Sequence, residues 1–207
     1  MTADAPPAQP LRLETFAGPA ALRPLLPALA RLRIAVFRDW PYLYEGDAAQ
    51  EETHLAALAE GPGGAIVVAF DAGGEPVGAA TCQPMAEATP SIRAGFARPG
   101  GPDPARTCYF GESVLLPAHR GRGTGLAFFA AREAHARGLG LSVAAFCAVV
   151  RNANDPRRPR DAVPLDAFWR NRGYHPRPDL SCMMAWREVG DDRETPHSLG
   201  FWVKDGL

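Results

Sequence analysis

The stretch Tyr109-Phe-Gly-Glu-Ser-Val-Leu-Leu-Pro-Ala-His-Arg-Gly-Arg-Gly-Thr-Gly125 decides the fold of this 207-residue chain. An apolar run that predicts a strand over residues 108–116 ends at Pro117, and a loop with three glycines and two arginines follows. A helical pattern then begins at Leu126. Glycines let a backbone approach a ligand closely, and the first turn of a helix leaves N–H groups unpaired. This order of strand, basic glycine loop and helix predicts a cradle for a phosphate or pyrophosphate group.

The composition is that of a soluble globular protein with a sizeable core, since 46% of the residues are hydrophobic and 22% are charged. A formal net charge of -1 gives no overall field that would attract nucleic acid or an anionic membrane. Residues 1–10 are expected to form a flexible tail without the features of a signal peptide, followed by a single domain over residues 11–207. The four cysteines are widely spaced, which favours buried thiols in a reducing cytoplasm over a disulfide pair.

The remaining pattern predicts one mixed α/β sheet flanked by helices. The loop helix is expected to place Leu126, Phe129, Ala130 and Ala134 on one side. No phosphate loop of the form Gly-x-x-x-x-Gly-Lys-Ser/Thr is present, and the dinucleotide spacing Gly-x-Gly-x-x-Gly is absent too. The predicted helices cover residues 19–38, 47–60, a segment from 126 and 164–172, and the predicted strands cover 65–70, 76–83, 108–116, 141–150, 181–189 and 199–204.

Two motifs in this chain resemble those of the GNAT superfamily, the acetyl-coenzyme A-dependent N-acetyltransferases. Arg120-x-x-Gly123-x-Gly125 has the family's form Gln/Arg-x-x-Gly-x-Gly/Ala. The segment Ala167-Phe-Trp-Arg-Asn-Arg-Gly-Tyr174 resembles the second motif, Ala-x-x-aromatic-aromatic-x-x-x-Gly-Phe/Tyr. The order of elements over residues 19–204 also fits. The resemblance implies a mostly antiparallel sheet whose strands separate at the coenzyme site, and acetyl-CoA as co-substrate without a metal.

The resemblance also implies where the coenzyme binds. Its pantetheine arm would pair with the backbone of the diagnostic strand, and its pyrophosphate would lie on the glycine loop. Asn154 stands where the family often has an asparagine that contacts pantetheine. The alternative is a flexible glycine-rich turn with two solvated arginines. The expected coenzyme-binding residues are Val114, Leu115, Leu116, Arg120, Gly121, Arg122, Gly123, Thr124, Gly125 and Asn154.

Acetyl transfer to an amine requires a base for the amine, a hydrogen-bond donor for the developing oxyanion and a route for the leaving thiolate. Glu112 is the only carboxylate on the diagnostic strand and is the predicted base, with Tyr109 in reserve. Strand alternation places Glu112 on the face of Val114 and Leu116 unless a bulge changes the count. The alternative role for Glu112 is an ion pair with an arginine of the first helix.

The family's usual acid is a tyrosine at the second aromatic position of the second motif, and this chain has Trp169 there. An indole N–H does not release a proton at neutral pH. Tyr174 is therefore the remaining candidate from this motif, with simple packing as the alternative. In the family, the first two helices and their connection cover the acceptor. The residues expected to shape that site, or else to fix the segment to the core, are Phe37, Arg38, Trp40, Tyr42 and Tyr44.

The sequence thus predicts transfer of an acetyl group from acetyl-CoA to a primary amine by direct attack in a ternary complex. The acceptor is a small molecule or a peptide, and no nucleic acid or membrane is expected as partner. Two alternatives are an acyl-CoA-binding module without turnover, which Trp169 favours, and transfer of a longer acyl group. A homodimer is left open.

Overall fold

The computed structural model describes residues 11–207, so the expected tail, residues 1–10, lies outside the described residues. Seven strands form one open sheet in the order β1-β2-β3-β4-β5-β7-β6. Neighbouring strands are antiparallel except β4 and β5, which are parallel. The predicted fold class, a mixed and mostly antiparallel sheet, is confirmed. The strands are β1 (Arg12–Ala17), β2 (Ala65–Phe70), β3 (Pro76–Pro84), β4 (Thr107–Leu115), β5 (Val143–Val149), β6 (His175–Arg187) and β7 (Glu194–Asp205).

Helices cover both faces of the sheet. On one face, the first three helices bury their apolar side chains in one cluster and the fourth helix in a second cluster. Tyr42 and Tyr44 pack against both clusters. The fifth helix packs on the other face, where Phe129 meets Cys108 and Phe110 of β4. Within residues 11–207, none of the helices has the length and apolar character needed to cross a membrane. The helices are α1 (Pro19–Leu22), α2 (Leu26–Phe37), α3 (Ala48–Glu60), α4 (Pro90–Phe96), α5 (Thr124–Gly138) and α6 (Asp166–Arg170).

Three sequence predictions about the elements need correction. Strand β1 was not predicted, because it lies at the edge of the sheet and most of its side chains are exposed, so no apolar run marks it. The helix predicted over residues 19–38 is interrupted by a short 3-10 turn, Arg23–Leu25, which contains Pro24. The inward side of α5 is not the predicted one: Leu126, Ala130 and Ala134 are exposed. Its buried residues are Thr124, Phe128, Phe129, Arg132, Glu133 and Ala136.

Strands β4 and β5 are paired only at their beginnings. The parallel pairing covers Thr107 to Tyr109 of β4 and ends at the pair Tyr109–Ala145. Beyond this pair β4 continues alongside β3, and β5 continues alongside β7. We call the space between residues 110–115 of β4 and residues 146–149 of β5 the fork. The glycine loop and the start of α5 follow directly after the β4 side of the fork.

A β-bulge interrupts β4 beside the fork. Cys82 of β3 lies opposite Phe110 and Ala80 lies opposite Ser113, so two residues of β4, Gly111 and Glu112, share the space opposite a single β3 residue. The bulge shifts the alternation of side chains. Phe110 therefore packs towards α5, whereas Glu112 reaches towards α2 on the opposite face.

Candidate active site

The loop between β4 and α5 has an open backbone at its glycines. Gly121 and Gly123 have φ values of 76° and 82°, and a Cβ atom at either position would meet nothing within 4 Å. Gly123 is the N-cap of α5 and supplies no side-chain hydrogen bond to the first turn. Glycine stands at position 125 for a different reason: a Cβ atom there would lie only 3.3 Å from the Phe168 ring of α6. The first-turn N–H groups of a fifteen-residue helix are therefore directed at an open loop, which suits an anion.

The two loop arginines lie across the end of β4. Arg120 Nε donates to the Leu115 carbonyl at 2.9 Å, and Arg122 Nη2 donates to the Ala118 carbonyl at 3.0 Å. Both side chains are exposed. A guanidinium has five N–H donors, so each arginine keeps donors for a further anionic group.

The backbone groups of β4 divide between β3 and the fork. Glu112 N–H donates to Thr81 Oγ1 at 3.1 Å and Leu116 N–H donates to the Val77 carbonyl at 3.0 Å, so both face β3. Backbone groups of successive strand residues point in opposite directions within the sheet. Those of Leu115, and of the exposed Ser113, therefore face the fork. Of the three residues predicted to pair with pantetheine, this geometry favours Leu115 over Val114 and Leu116, and it adds Ser113.

Glu112 lies in a buried charge cluster on the face of the sheet that α2 covers. Its Oε1 is 2.5 Å from Arg33 Nη1, and Arg33 Nε also pairs with Glu51. Burial raises the pKa of Glu112, but the Arg33 guanidinium, aided by His54, has the larger combined effect and holds the pKa below its ordinary value. Glu112 is therefore ionised at neutral pH and is a weaker base than an ordinary carboxylate. The ion pair with a helix arginine, which the sequence predicted as the alternative role of Glu112, is present.

Tyr109 and Cys147 meet where the two strands separate. Tyr109 belongs to the last β4–β5 pair, and its hydroxyl lies 3.1 Å from Cys147 Sγ on β5. Burial raises the pKa of Tyr109 well above its ordinary value. Contact with Cys182, together with burial, raises the pKa of Cys147 in the same way. Both groups hold their protons at neutral pH, which disfavours Tyr109 as a base and Cys147 as a nucleophile.

The second motif lies on the other face of the sheet from Glu112. Tyr174 is fully buried, and its hydroxyl donates to Glu133 Oε1 at 3.0 Å. Burial and the Glu133 carboxylate raise the pKa of Tyr174. The Trp169 ring packs against Phe146 and Trp202, with centroid distances of 5.1 and 4.9 Å. These contacts favour packing over catalysis for Tyr174.

The aromatic segment after α2 divides into inward and outward residues. Tyr42 packs between Phe37 and Trp186, with ring centroids 4.6 and 6.0 Å apart. Burial, and the neighbouring Glu51, raise the pKa of Tyr44 to about 12. Phe37, Tyr42 and Tyr44 are thus close to the Arg33–Glu112 cluster. Of the other two predicted acceptor residues, Arg38 is exposed and pairs with Glu45 at 2.7 Å, and Trp40 lies beneath Arg151.

Arg151, directly after β5, fixes this aromatic segment. It donates to the Pro41 carbonyl and, at 2.7 Å, to the Tyr42 carbonyl, and it pairs with the buried Glu188 of the β6–β7 connection. Trp186 Nε1 also donates to the Tyr42 carbonyl, at 3.0 Å. Asn154 is exposed, and its backbone N–H donates to Asn152 Oδ1 in a local turn. Its predicted contact with pantetheine stays a prediction.

Replacing Arg151 by methionine is expected to loosen residues 40–45. The change leaves Glu188 buried with one guanidinium partner fewer, and breaking a buried ion pair costs about 3 kcal/mol. We expect faster hydrogen exchange at the amides of residues 40–45. Arg158→Met, at an exposed position of the same loop, is the control. Unaltered exchange in folded Arg151→Met would contradict this role.

A comparison with protein-family models finds the acetyltransferase (GNAT) family over residues 29–159, which is more than half of the chain. The chain belongs to the GNAT acetyltransferase family. It is therefore an acyltransferase, as the two motifs predicted. A comparison with curated proteins finds no match.

Solved structures of other GNAT acetyltransferases share the fold. A ribosomal-protein-alanine N-acetyltransferase from Brucella melitensis is 17% identical, with a TM-score of 0.60 over 94% of this chain and 99% of that one. A GCN5-related N-acetyltransferase from Kribbella flavida is 18% identical, with a TM-score of 0.55 over 93% and 97%. One from Rhodopseudomonas palustris is 17% identical, with a TM-score of 0.55 over 98% and 99%. At these identities the likeness concerns the fold alone.

Three charged residues of the candidate site were not predicted from the sequence: Arg33, Arg132 and Arg151. Neither Arg33 nor Arg151 was among the predicted site residues. Arg132 was not named, although its spacing of three and four from Phe129 and Phe128 would have placed it on the buried side of α5. The four-residue step to Ala136, also buried, was a further signal. Among residues 11–207, no group of three or more His, Cys, Asp or Glu side chains could hold a metal ion.

Proposed function

We propose that this GNAT acetyltransferase moves an acetyl group from acetyl-CoA to a primary amine while both substrates are bound. The observation that carries the proposal is the fork. It opens beyond the Tyr109–Ala145 pair and leads to an open glycine loop and the N-terminus of α5. This arrangement suits a ligand with an extended, amide-containing arm and an anionic end, which is the chemistry of coenzyme A.

The residues present fit each part of that coenzyme. The backbone groups of Ser113 and Leu115 can pair with the amides of pantetheine as an added strand would. Backbone N–H groups of residues 121–125, with Arg120 and Arg122 beside them, suit the pyrophosphate. When bound, acetyl-CoA supplies an activated thioester next to the bulge of β4.

On the opposite side, Glu112, Tyr42 and Tyr44 are the groups available to an amine. The attacking amine must be neutral, so its proton has to leave. Glu112 is ionised and takes this proton, directly or through a bound water. The amine nitrogen adds to the acetyl carbon, and the carbon–sulfur bond then breaks with its electron pair leaving on the sulfur. The second proton of the attacking nitrogen passes to water, which leaves a neutral amide. Because neither Trp169 nor Tyr174 is placed to donate a proton, coenzyme A departs as its thiolate.

A thiol-release assay with a panel of amines tests the proposal. The panel contains amino acids, peptides with free N-termini, polyamines and aminoglycosides, and mass spectrometry of the product should show the gain of one acetyl group. Parallel assays with longer acyl-CoA thioesters test the choice of acyl group. Absence of acetyl-CoA binding would refute the proposal. Tight binding without turnover on any amine would instead support an acyl-CoA-binding module, the function that Trp169 in place of tyrosine favours.

A further inference from the structure

Arg132 is a buried cation without a carboxylate partner. Its side chain is 2% exposed and is the largest of the fully buried side chains in residues 11–207. The nearby carboxylates are engaged elsewhere, Glu112 with Arg33 and Glu133 with Lys204, and none in the described part of the chain forms an ion pair with Arg132. Burial lowers the pKa of Arg132, but a guanidinium remains protonated at neutral pH. Burying a charge without a counter-ion costs several kcal/mol of stability, so other groups around Arg132 must stabilise it.

Those partners are backbone carbonyls and aromatic rings at the bulge of β4. Nη1 of Arg132 lies 3.3 Å from the Glu112 carbonyl oxygen and 3.5 Å from that of Thr81. Nε donates to the Phe128 carbonyl at 3.3 Å. The guanidinium carbon lies 4.4 and 4.8 Å from the ring centroids of Phe110 and Phe129. The bulge disrupts the regular pairing of β4 at the Glu112 carbonyl, and Arg132 donates a hydrogen bond to this carbonyl.

The Glu112 carbonyl belongs to the same peptide group as the Ser113 N–H. In a trans peptide these two groups point in opposite directions. The Glu112 carbonyl is directed towards Arg132 and β3, so the Ser113 N–H is directed into the fork, where Ser113 is exposed. A positive charge at the oxygen end of a peptide group polarises it and makes its N–H a stronger donor.

We propose that Arg132 is a positioning residue that holds the bulge and polarises the Glu112–Ser113 peptide, so that the Ser113 N–H donates to the acetyl carbonyl oxygen. This inference rests on acetyl-CoA being the donor substrate. Fixed donors aimed at developing negative charge are among the largest contributions to catalysis, and their orientation is set before the substrate arrives. The stronger and fixed Ser113 N–H donor is thus the functional gain that offsets the desolvation cost of Arg132.

Isotope-edited infrared spectroscopy of bound acetyl-CoA, labelled with carbon-13 at the acetyl carbonyl, tests the inference. In the wild type the carbonyl stretch should lie at a lower frequency than in water. Arg132→Gln keeps a hydrogen-bond donor but removes the charge, so most of this shift should disappear and kcat should fall about 10-fold. Arg132→Lys keeps the charge and should retain more of the frequency shift and more of kcat than Arg132→Gln. The affinity for coenzyme A without the acetyl group should change little.

Arg137→Gln is the matched control, because Arg137 is a half-exposed arginine on the same helix. A wild-type carbonyl frequency in folded Arg132→Gln would overturn the inference. If that variant does not fold, the amide proton of Ser113 in the wild type gives the answer by NMR: it should shift downfield with acetyl-CoA and not with coenzyme A, and no difference would overturn the inference. Failure of the wild type to bind either ligand would instead refute the proposed function.

Discussion

Replacing Gly123 by aspartate is expected to abolish acetyl-CoA binding. The residue has a φ of 82° and open space around it, so an added side chain points at the loop and not into the core. A carboxylate there occupies the N-terminus of α5, where the proposed pyrophosphate would bind, and repels it. We expect the affinity to fall by on the order of 100-fold or more, as measured by isothermal titration calorimetry.

Gly123→Asn separates charge from backbone strain. Asparagine and aspartate have nearly the same shape and both tolerate a positive φ better than other side chains. The two variants should lose similar stability, and only the aspartate should lose nearly all binding. Equal, large losses of affinity in both variants would mean that the size of the added side chain, and not its charge, prevents acetyl-CoA binding. Normal affinity in both would show that the glycine loop does not bind the coenzyme.

Replacing Glu112 by glutamine is the second change with a large expected effect. The variant keeps the size of the side chain but removes the proposed proton acceptor, so kcat should fall about 100-fold, within the usual range for general base catalysis. The Kd of acetyl-CoA should be unchanged, since Glu112 faces α2 and not the glycine loop. In the wild type, the Arg33 guanidinium keeps the pKa of Glu112 low, so activity should not decline from Glu112 protonation until the pH is below about 4.5.

The same substitution has a defined effect on stability. Since the pKa of folded Glu112 lies below its ordinary value, the carboxylate stabilises the fold above that ordinary pKa and loses this contribution as the pH falls. The difference in the free energy of unfolding between the wild type and Glu112→Gln should thus be largest near neutral pH and shrink on acidification. Glu60→Gln, which removes an exposed ion pair with Arg23, should cost less than about 1 kcal/mol. Reduced stability with normal kcat would leave Glu112 a structural role only.

The arrangement of strand end, glycine loop and helix could be predicted from sequence because its signals are local. The strand end at Leu115, the glycines and the start of α5 follow one another within a short segment, and each has a characteristic residue pattern. The bulge at Gly111–Glu112 could not be predicted, since it depends on how β4 meets Thr81 of β3. Its position decides which backbone groups face the fork. For that reason the sequence prediction included Leu116, whose N–H faces β3, and left out Ser113, whose backbone faces the fork.

The proposed acceptor side depends on contacts between distant parts of the chain. The aromatic composition after α2 was visible, but nothing in it shows that Arg151 and Trp186 bind the Tyr42 carbonyl. Glu112 was recognised as unusual because a carboxylate in an apolar strand needs a partner. The sequence named the first helix as the source of that partner, and Arg33 of α2 provides it, but it did not show that Glu51 shares the same guanidinium.

The hydrogen bond from Arg120 to the Leu115 carbonyl has a consequence for solubility. The fork gives this sheet an inner edge, and an exposed strand edge is a template for pairing with a strand from another molecule. A charged and exposed guanidinium, that of Arg120, donates to the last carbonyl of that edge. An intruding strand would have to displace it and bury its charge. We therefore expect the arginine at the start of the glycine loop also to protect the chain against aggregation through this strand edge.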